Sequence, residues 1–161
     1  MIKRDISITL LEYNSLSEMN ESERQLIDLA KAATEGSYAP YSKFHVGAAV
    51  LMDNGEIISG SNQENAAYPS GLCAERVALF YANSKFPKIK VNTIAIAART
   101  NGSFTKLPIP PCGSCRQVML ETENRFNTPI KIILFGENNI LVIESASFLL
   151  PIGFREDFFK K

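Results

Sequence analysis

Histidine occurs once, cysteine three times, and net charge is absent, because 17 basic residues balance 17 acidic ones. A chain without net charge has no global field to draw it to nucleic acid. Nor does it carry a basic stripe interleaved with aromatics, the pattern that holds single strands. Three cysteines are an odd number and make no disulfide framework, which points to a reducing cytoplasm. No apolar run approaches the length of a membrane span. The opening Met1-Ile2-Lys3-Arg4-Asp5-Ile6 lacks the apolar core of a signal peptide. The glycosylation sequons at Asn20 and Asn101 then read as chance matches. These absences favour a small-molecule substrate, with no nucleic-acid or membrane partner.

At 161 residues, 45% hydrophobic and 21% charged, the chain suits one domain over residues 1–161 with a real core. Residues 5–13 alternate partly and read either as an edge strand or as a surface arm. Asn20 with Glu23 has the form of a capping box, and Leu26, Leu29, Ala30 and Ala33 then repeat at helical spacing up to Gly36. A first helix is predicted over 21–36. Phe44–Met52 and Glu56–Ser61 flank Asp53-Asn54-Gly55, the strongest short-range hairpin signal. Further strands are predicted at 91–99, 130–135 and 140–143, and helices at about 73–86, 112–124 and 145–150. The proline-broken stretch 101–111 reads as a loop.

The chemistry sits in Cys73-Ala74-Glu75-Arg76 and Pro111-Cys112-Gly113-Ser114-Cys115-Arg116, which use every cysteine of the chain. Cys-x-Glu followed by Pro-Cys-x-x-Cys resembles the ligand arrangement of zinc deaminases, where the first ligand is His or Cys. Three ligands leave the fourth tetrahedral position open for water, the mark of a catalytic site. Helix 73–86, strand 91–99 and helix 112–124 form an α-β-α succession, and right-handed crossovers bring both helix starts together on one sheet face. The cysteines fall in first turns, where the helix dipole favours the thiolate that binds zinc. Taken singly, Cys73 reads as a small buried hydrophobe, Cys112-x-x-Cys115 as a redox pair and Glu75 as a dipole partner. His45, beside Phe44, reads as a half-exposed strand residue rather than a fourth ligand.

With those residues in place, the chain resembles the small homotetrameric cytidine deaminases from about Ala39 to Phe154. The shared segments include Pro40-Tyr41-Ser42-x-Phe44-x-Val46-Gly47-Ala48-Ala49, Asn62-x-Glu64-Asn65-Ala66, both cysteine motifs with Arg116-Gln117, and Leu149-Leu150-Pro151-x-x-Phe154. Residues 1–20 form an extension outside the match, and Gln63 and Ser114 depart from the common pattern. The resemblance implies an α/β fold, a three-layer α/β/α sandwich around a five-stranded mixed sheet. It implies one Zn²⁺ per chain on Cys73, Cys112 and Cys115, with Glu75 as the catalytic acid/base and Arg76 hydrogen-bonding the sulfurs. Phe44 would pack on the pyrimidine, Asn62 and Glu64 would read the ribose hydroxyls, and the Ala74 N–H would meet the base carbonyl. Phe154 would reach a neighbouring subunit's site. The implied reaction is deamination of cytidine and deoxycytidine to uridine and deoxyuridine, in pyrimidine salvage, by a cytoplasmic homotetramer.

Overall fold

The computed structural model describes residues 1–155 and 159; Phe158, part of the apolar tail in the sequence, lies outside the described residues. Helix α1 runs Glu21–Ala33 and tightens into a 3₁₀ turn over Thr34–Gly36, together filling the predicted 21–36. Its start is the expected capping box: the Asn20 side chain accepts from the Glu23 N–H at 2.9 Å, and Glu23 answers from the Asn20 N–H at 3.4 Å. Strands β2 (His45–Met52) and β3 (Ile57–Ser61) make the Asn54-Gly55 hairpin, with Gly55 at φ 85°. Helix α2 is Ala74–Lys85, followed by β4 (Val91–Thr100), α3 (Gly113–Phe126), β6 (Lys131–Phe135), β7 (Ile140–Ile143) and the short α4 (Ala146–Leu149).

Two short strands join the five expected ones. β1 (Leu11–Tyr13) pairs antiparallel with β7, so only the end of that segment is an edge strand, while residues 5–10 are exposed and form no strand, as a surface arm does. β5 (Ser103–Phe104) folds back on β4 inside the stretch predicted as loop. Among the described residues the sheet order is β1-β7-β6-β4-β2-β3, mixed because β4 and β6 are parallel and the other pairs antiparallel. The alternation of each strand divides the core in two. Val50, Ile94, Ile96, Ile132 and Leu134 face α2, α3 and α4. Ala49, Ala95, Ala97, Ile133 and Phe135 face α1. The result is a three-layer α/β/α sandwich.

The two crossovers β3-α2-β4 and β4-α3-β6 step the same way across the sheet, so α2 and α3 lie on one face with their N-termini adjacent. Gly60 sets the height of α2. A Cβ there would stand 2.6 Å from the Ala78 backbone nitrogen and 2.9 Å from the Ala74 carbonyl oxygen. At the far end of α3, Glu123 holds three elements together. Its carboxylate accepts from the Ile130 N–H (3.0 Å), the Ala146 N–H (2.7 Å) and the Ser145 hydroxyl (2.7 Å), tying α3 to β6 and to the start of α4. Glu123→Ala leaves two backbone donors without partners. The expected cost is about 2–4 kcal/mol, or about 5–15 °C in Tm. Thermal unfolding of the two proteins checks it, and an unchanged Tm would remove the clip from the account.

Candidate metal centre and adjoining cavity

Cys73 is the N-cap of α2 and Cys112 the N-cap of α3, while Cys115 lies in the first turn of α3. From strands on one sheet and two same-handed crossovers, three sulfurs converge. The Sγ atoms of Cys73 and Cys112 are 3.7 Å apart, those of Cys112 and Cys115 3.5 Å, and all three lie within 4.8 Å of one another. Tetrahedral zinc–sulfur bonds of about 2.3 Å place ligand sulfurs about 3.8 Å apart. The donor set therefore fits Zn²⁺ in type, number and spacing, and is one ligand short of a closed tetrahedral site. The three cysteines are the one such cluster found among the described residues.

The electrostatics agree. The Cys73 thiol is pulled down to about 5, first by hydrogen bonding with Cys115 and further by Arg76. Cys115 moves up, because Cys73 takes the favoured negative charge and burial penalises a second one. A divalent cation held by the three would favour the thiolate form of every ligand and displace the protons that remain. The Arg76 guanidinium donates to Cys73 Sγ at 3.8 Å, and this partnership holds its own pKa above the ordinary value. Glu75 follows Ala74 in the first turn of α2, is 5% exposed, and does not belong to the sulfur cluster. Burial, and then the charge of Cys73, push its carboxyl above the usual carboxylate range. Such a group holds or releases a proton nearer neutrality than an exposed glutamate does.

A cavity of about 430 Å³ opens on these residues. Its lining includes Glu75, Cys73 and Cys112 together with the apolar Phe44, Val46, Ile96, Ile109 and Pro110. Ser42, Asn62 and Glu64 line it and also a second cleft of about 580 Å³ whose lining includes Tyr41, Tyr68 and Arg76. Ala74 opens α2, so its N–H has no partner within the helix. Phe154 is not among the residues lining the cavity; its ring meets Phe159 edge-on at 5.5 Å. His45 does not line it either. Its Nδ1 sits 2.6 Å from Ser37 Oγ at the start of β2.

Asn62 and Glu64 are also structural. Asn62 Oδ1 accepts from the Val46 N–H at 2.8 Å and its Nδ2 donates to the Phe44 carbonyl at 2.9 Å. Glu64 accepts from the Tyr41 N–H at 2.9 Å, from the Ser42 N–H, and in a short bond from the Ser42 hydroxyl. These bonds, the Ser42 hydroxyl first among them, hold its pKa below the ordinary value. The pair thus clamps the segment that carries Phe44. Two further residues give the sequence no chemical signal. Arg116 donates from Nε to the Pro111 carbonyl (2.8 Å) and from Nη1 to the Leu149 carbonyl (3.3 Å), fixing the approach to Cys112. Gln117 Nε2 donates to the Phe154 carbonyl at 2.8 Å and fixes the tail. Both stand next to the second cysteine pair in sequence, but only the fold shows what they reach.

The profile of the cytidine and deoxycytidylate deaminase zinc-binding region matches residues 20–127. A cytidine deaminase of Halalkalibacterium halodurans is 51% identical over 98 residues, covering 61% of this chain and 70% of that protein. One of Sporosarcina psychrophila is 46% identical over 97 residues, covering 60% and 67%. The crystal structure of cytidine deaminase from Burkholderia pseudomallei matches with a TM-score of 0.69 at 40% identity, over 84% of this chain and 100% of that one. That of the Mycobacterium tuberculosis cytidine deaminase matches with a TM-score of 0.66 at 30% identity, over 84% and 99%.

Proposed function

The chain belongs to the cytidine and deoxycytidylate deaminase zinc-binding family, and from that premise we propose the following reading of its site. The enzyme hydrolyses the exocyclic C–N bond of cytidine, giving uridine and ammonia, and acts on deoxycytidine in the same way. It holds one Zn²⁺ per chain on Cys73, Cys112 and Cys115. The observation that carries this reading is the meeting of three ligand sulfurs beside a cavity that Cys73, Cys112 and the buried carboxylate Glu75 line. Bound there, zinc supplies Lewis-acid activation of water, bringing its pKa towards about 7.

Glu75 handles the protons. It takes one proton from the water that attacks C4 and delivers it to ring N3, then takes the second from the new C4 hydroxyl and passes it to the amine as C4=O forms and the C4–N bond breaks; water and cytidine enter, uridine and ammonia leave. Phe44 packs on the pyrimidine, the Ala74 N–H meets its carbonyl, and Asn62 with Glu64 reads the ribose hydroxyls. Each of that pair keeps acceptor capacity beyond its bonds to the 41–46 segment. Three thiolates around Zn²⁺ leave a formal −1, and the Arg76 hydrogen bond to Cys73 draws part of that charge away.

We read the assembly as a homotetramer with shared sites. Tyr68, Phe80, Tyr81 and Phe154 are exposed aromatics, and such surface marks interfaces. The Phe154 ring, outside its own chain's cavity, would then serve a neighbour's. No helix of the described residues is long and apolar enough to cross a membrane, and a cytoplasmic place in pyrimidine salvage fits the reduced cysteines. A chain of zero net charge has no global field to draw a polynucleotide to it.

Loss of absorbance on cytidine by zinc-loaded protein tests the reaction directly. Cytidine is expected to be turned over with kcat/KM at least about a hundredfold above free cytosine, because a substrate without ribose leaves Asn62 and Glu64 short of partners. Comparable values for the two would end their assignment to the sugar.

A further inference from the structure

β1 is the last strand of the sheet, and the residues before it lie outside the 20–127 region shared with the family. Among the described residues its ladder partner is β7, so its outer edge is open. Proteins ordinarily blunt such an edge with proline, a bulge or charge at its centre. β1 itself is three residues with Glu12 at its centre, but residues 5–10 before it, which form no strand in this structure, contain no proline and no charge after Asp5, and Ile6, Ile8 and Leu10 alternate there with Ser7 and Thr9. The three apolar side chains are 61%, 45% and 53% exposed. This alternation is that of a strand with one face awaiting cover.

We propose that residues 3–13 of two copies of this chain pair as antiparallel edge strands about a twofold axis through Ile8, joining two sheets at β1. The argument is the register. A twofold through Ile8 sets Ile6 opposite Leu10, Ser7 opposite Thr9, Ile8 opposite itself, and Arg4 opposite Glu12 at both ends. Ile6, Ile8 and Leu10 meet only apolar partners, Ser7 meets Thr9 and Arg4 meets Glu12, while Asp5 falls opposite Leu11 and Lys3 opposite Tyr13. A shift of the axis to Ser7 sets Arg4 against Leu10 and Ile2 against Glu12. A shift to Thr9 sets Ile6 against Glu12. An axis between residues pairs opposite faces of the strand, which period-two side chains exclude. Glu12 is already held in place by a hydrogen bond from Asn139 Nδ2 across the β1–β7 ladder, so one charge of each cross-strand pair is fixed before the second copy arrives. The interface is isologous, as a closed twofold requires. It rests on residues outside the catalytic machinery and does not depend on the reading of the site.

Cysteine scanning in the full, zinc-loaded chain tests the axis, with the parent protein as the blank for its own thiols. In the proposed register two Ile8→Cys residues face each other within disulfide reach, whereas two Ile6→Cys residues stand roughly 13 Å apart along the strand. Mild oxidation should convert Ile8→Cys to a disulfide-linked dimer and leave Ile6→Cys monomeric on a non-reducing gel. Arg4→Glu in the Ile8→Cys protein should cut the yield, and adding Glu12→Arg should restore it. Equal yields at positions 6 and 8 would overturn the register. No link at position 8 would overturn the partner, whether the arm is free, lies on its own sheet, or is held by a different protein. Failure of the charge exchange to rescue would overturn the Arg4–Glu12 pairing on which the axis rests.

Discussion

Glu75→Gln is expected to bind zinc and substrate and to turn over at most a hundredth as fast as the parent. Positioned acid/base groups contribute about 10²–10⁴-fold, and here one carboxylate serves the attack, the ring nitrogen and the leaving amine. The glutamine fits the same buried space at the start of α2 and can still hydrogen-bond, so fold and metal content should be unchanged. Three readings on one preparation separate the possibilities: zinc per chain by elemental analysis, Tm, and the cytidine absorbance rate. A variant that keeps its zinc and turns over within tenfold of the parent would take the proton shuttle away from Glu75. Equal loss of zinc and activity would make Glu75 a supporting residue of the metal centre instead.

The second large effect belongs to Cys112→Ala. Cys112 is exposed at the N-cap of α3, so losing its sulfur creates no cavity and the change reports on ligation. Partners outside the ligand shell cost about 10–100-fold in metal affinity when removed, and a ligand costs more than that. Dialysis against a chelator should leave the parent near one zinc per chain and the variant near none, with turnover lost in proportion. The variant's Tm should also fall, since what binds only the folded state stabilises it. A variant that retains zinc after dialysis would contradict the three-sulfur site.

The fold is legible wherever a local rule acts alone. Asn20 with Glu23, the Asn54-Gly55 hairpin and the apolar run 91–99 each specify their element without help from distant residues. The β5 turn followed the same rule. Asn101 at φ 52° and Gly102 at φ 81° form a second Asn-Gly hairpin, but the prolines at 108, 110 and 111 directed the reading to a loop. Helix α3 overran its predicted end at Asn124 because Asn127, at φ 48°, is the residue that takes the left-handed stop. In the site, residue type and spacing carried the cysteines and Glu75. They could not show that Asn62 and Glu64 clamp the 41–46 segment, that Arg116 holds the carbonyl before Cys112, or that α2 rests on Gly60. Apart from the Arg116–Pro111 bond, which spans 5 residues, those are contacts across 14 to 23 residues, and each depends on which elements the sheet has made neighbours.

The three long helices do not begin alike. α1 is closed at its start by Asn20 and Glu23, whereas Cys73 and Cys112 occupy the same N-cap position in α2 and α3 without a side-chain hydrogen bond to the backbone. A Ser, Asp or Asn in either place would gain about 0.5–2 kcal/mol of helix stability. The chain forgoes that twice, at neighbouring points. Evolution towards a sturdier sandwich therefore runs against the site at these two positions: the residue that would best finish each helix is the one that would silence the opening amides and remove the sulfur. Stabilising substitutions sought by selection or by design should accumulate around α1 and the outer sheet, and leave the two cysteine-capped starts as the least optimised turns of the molecule.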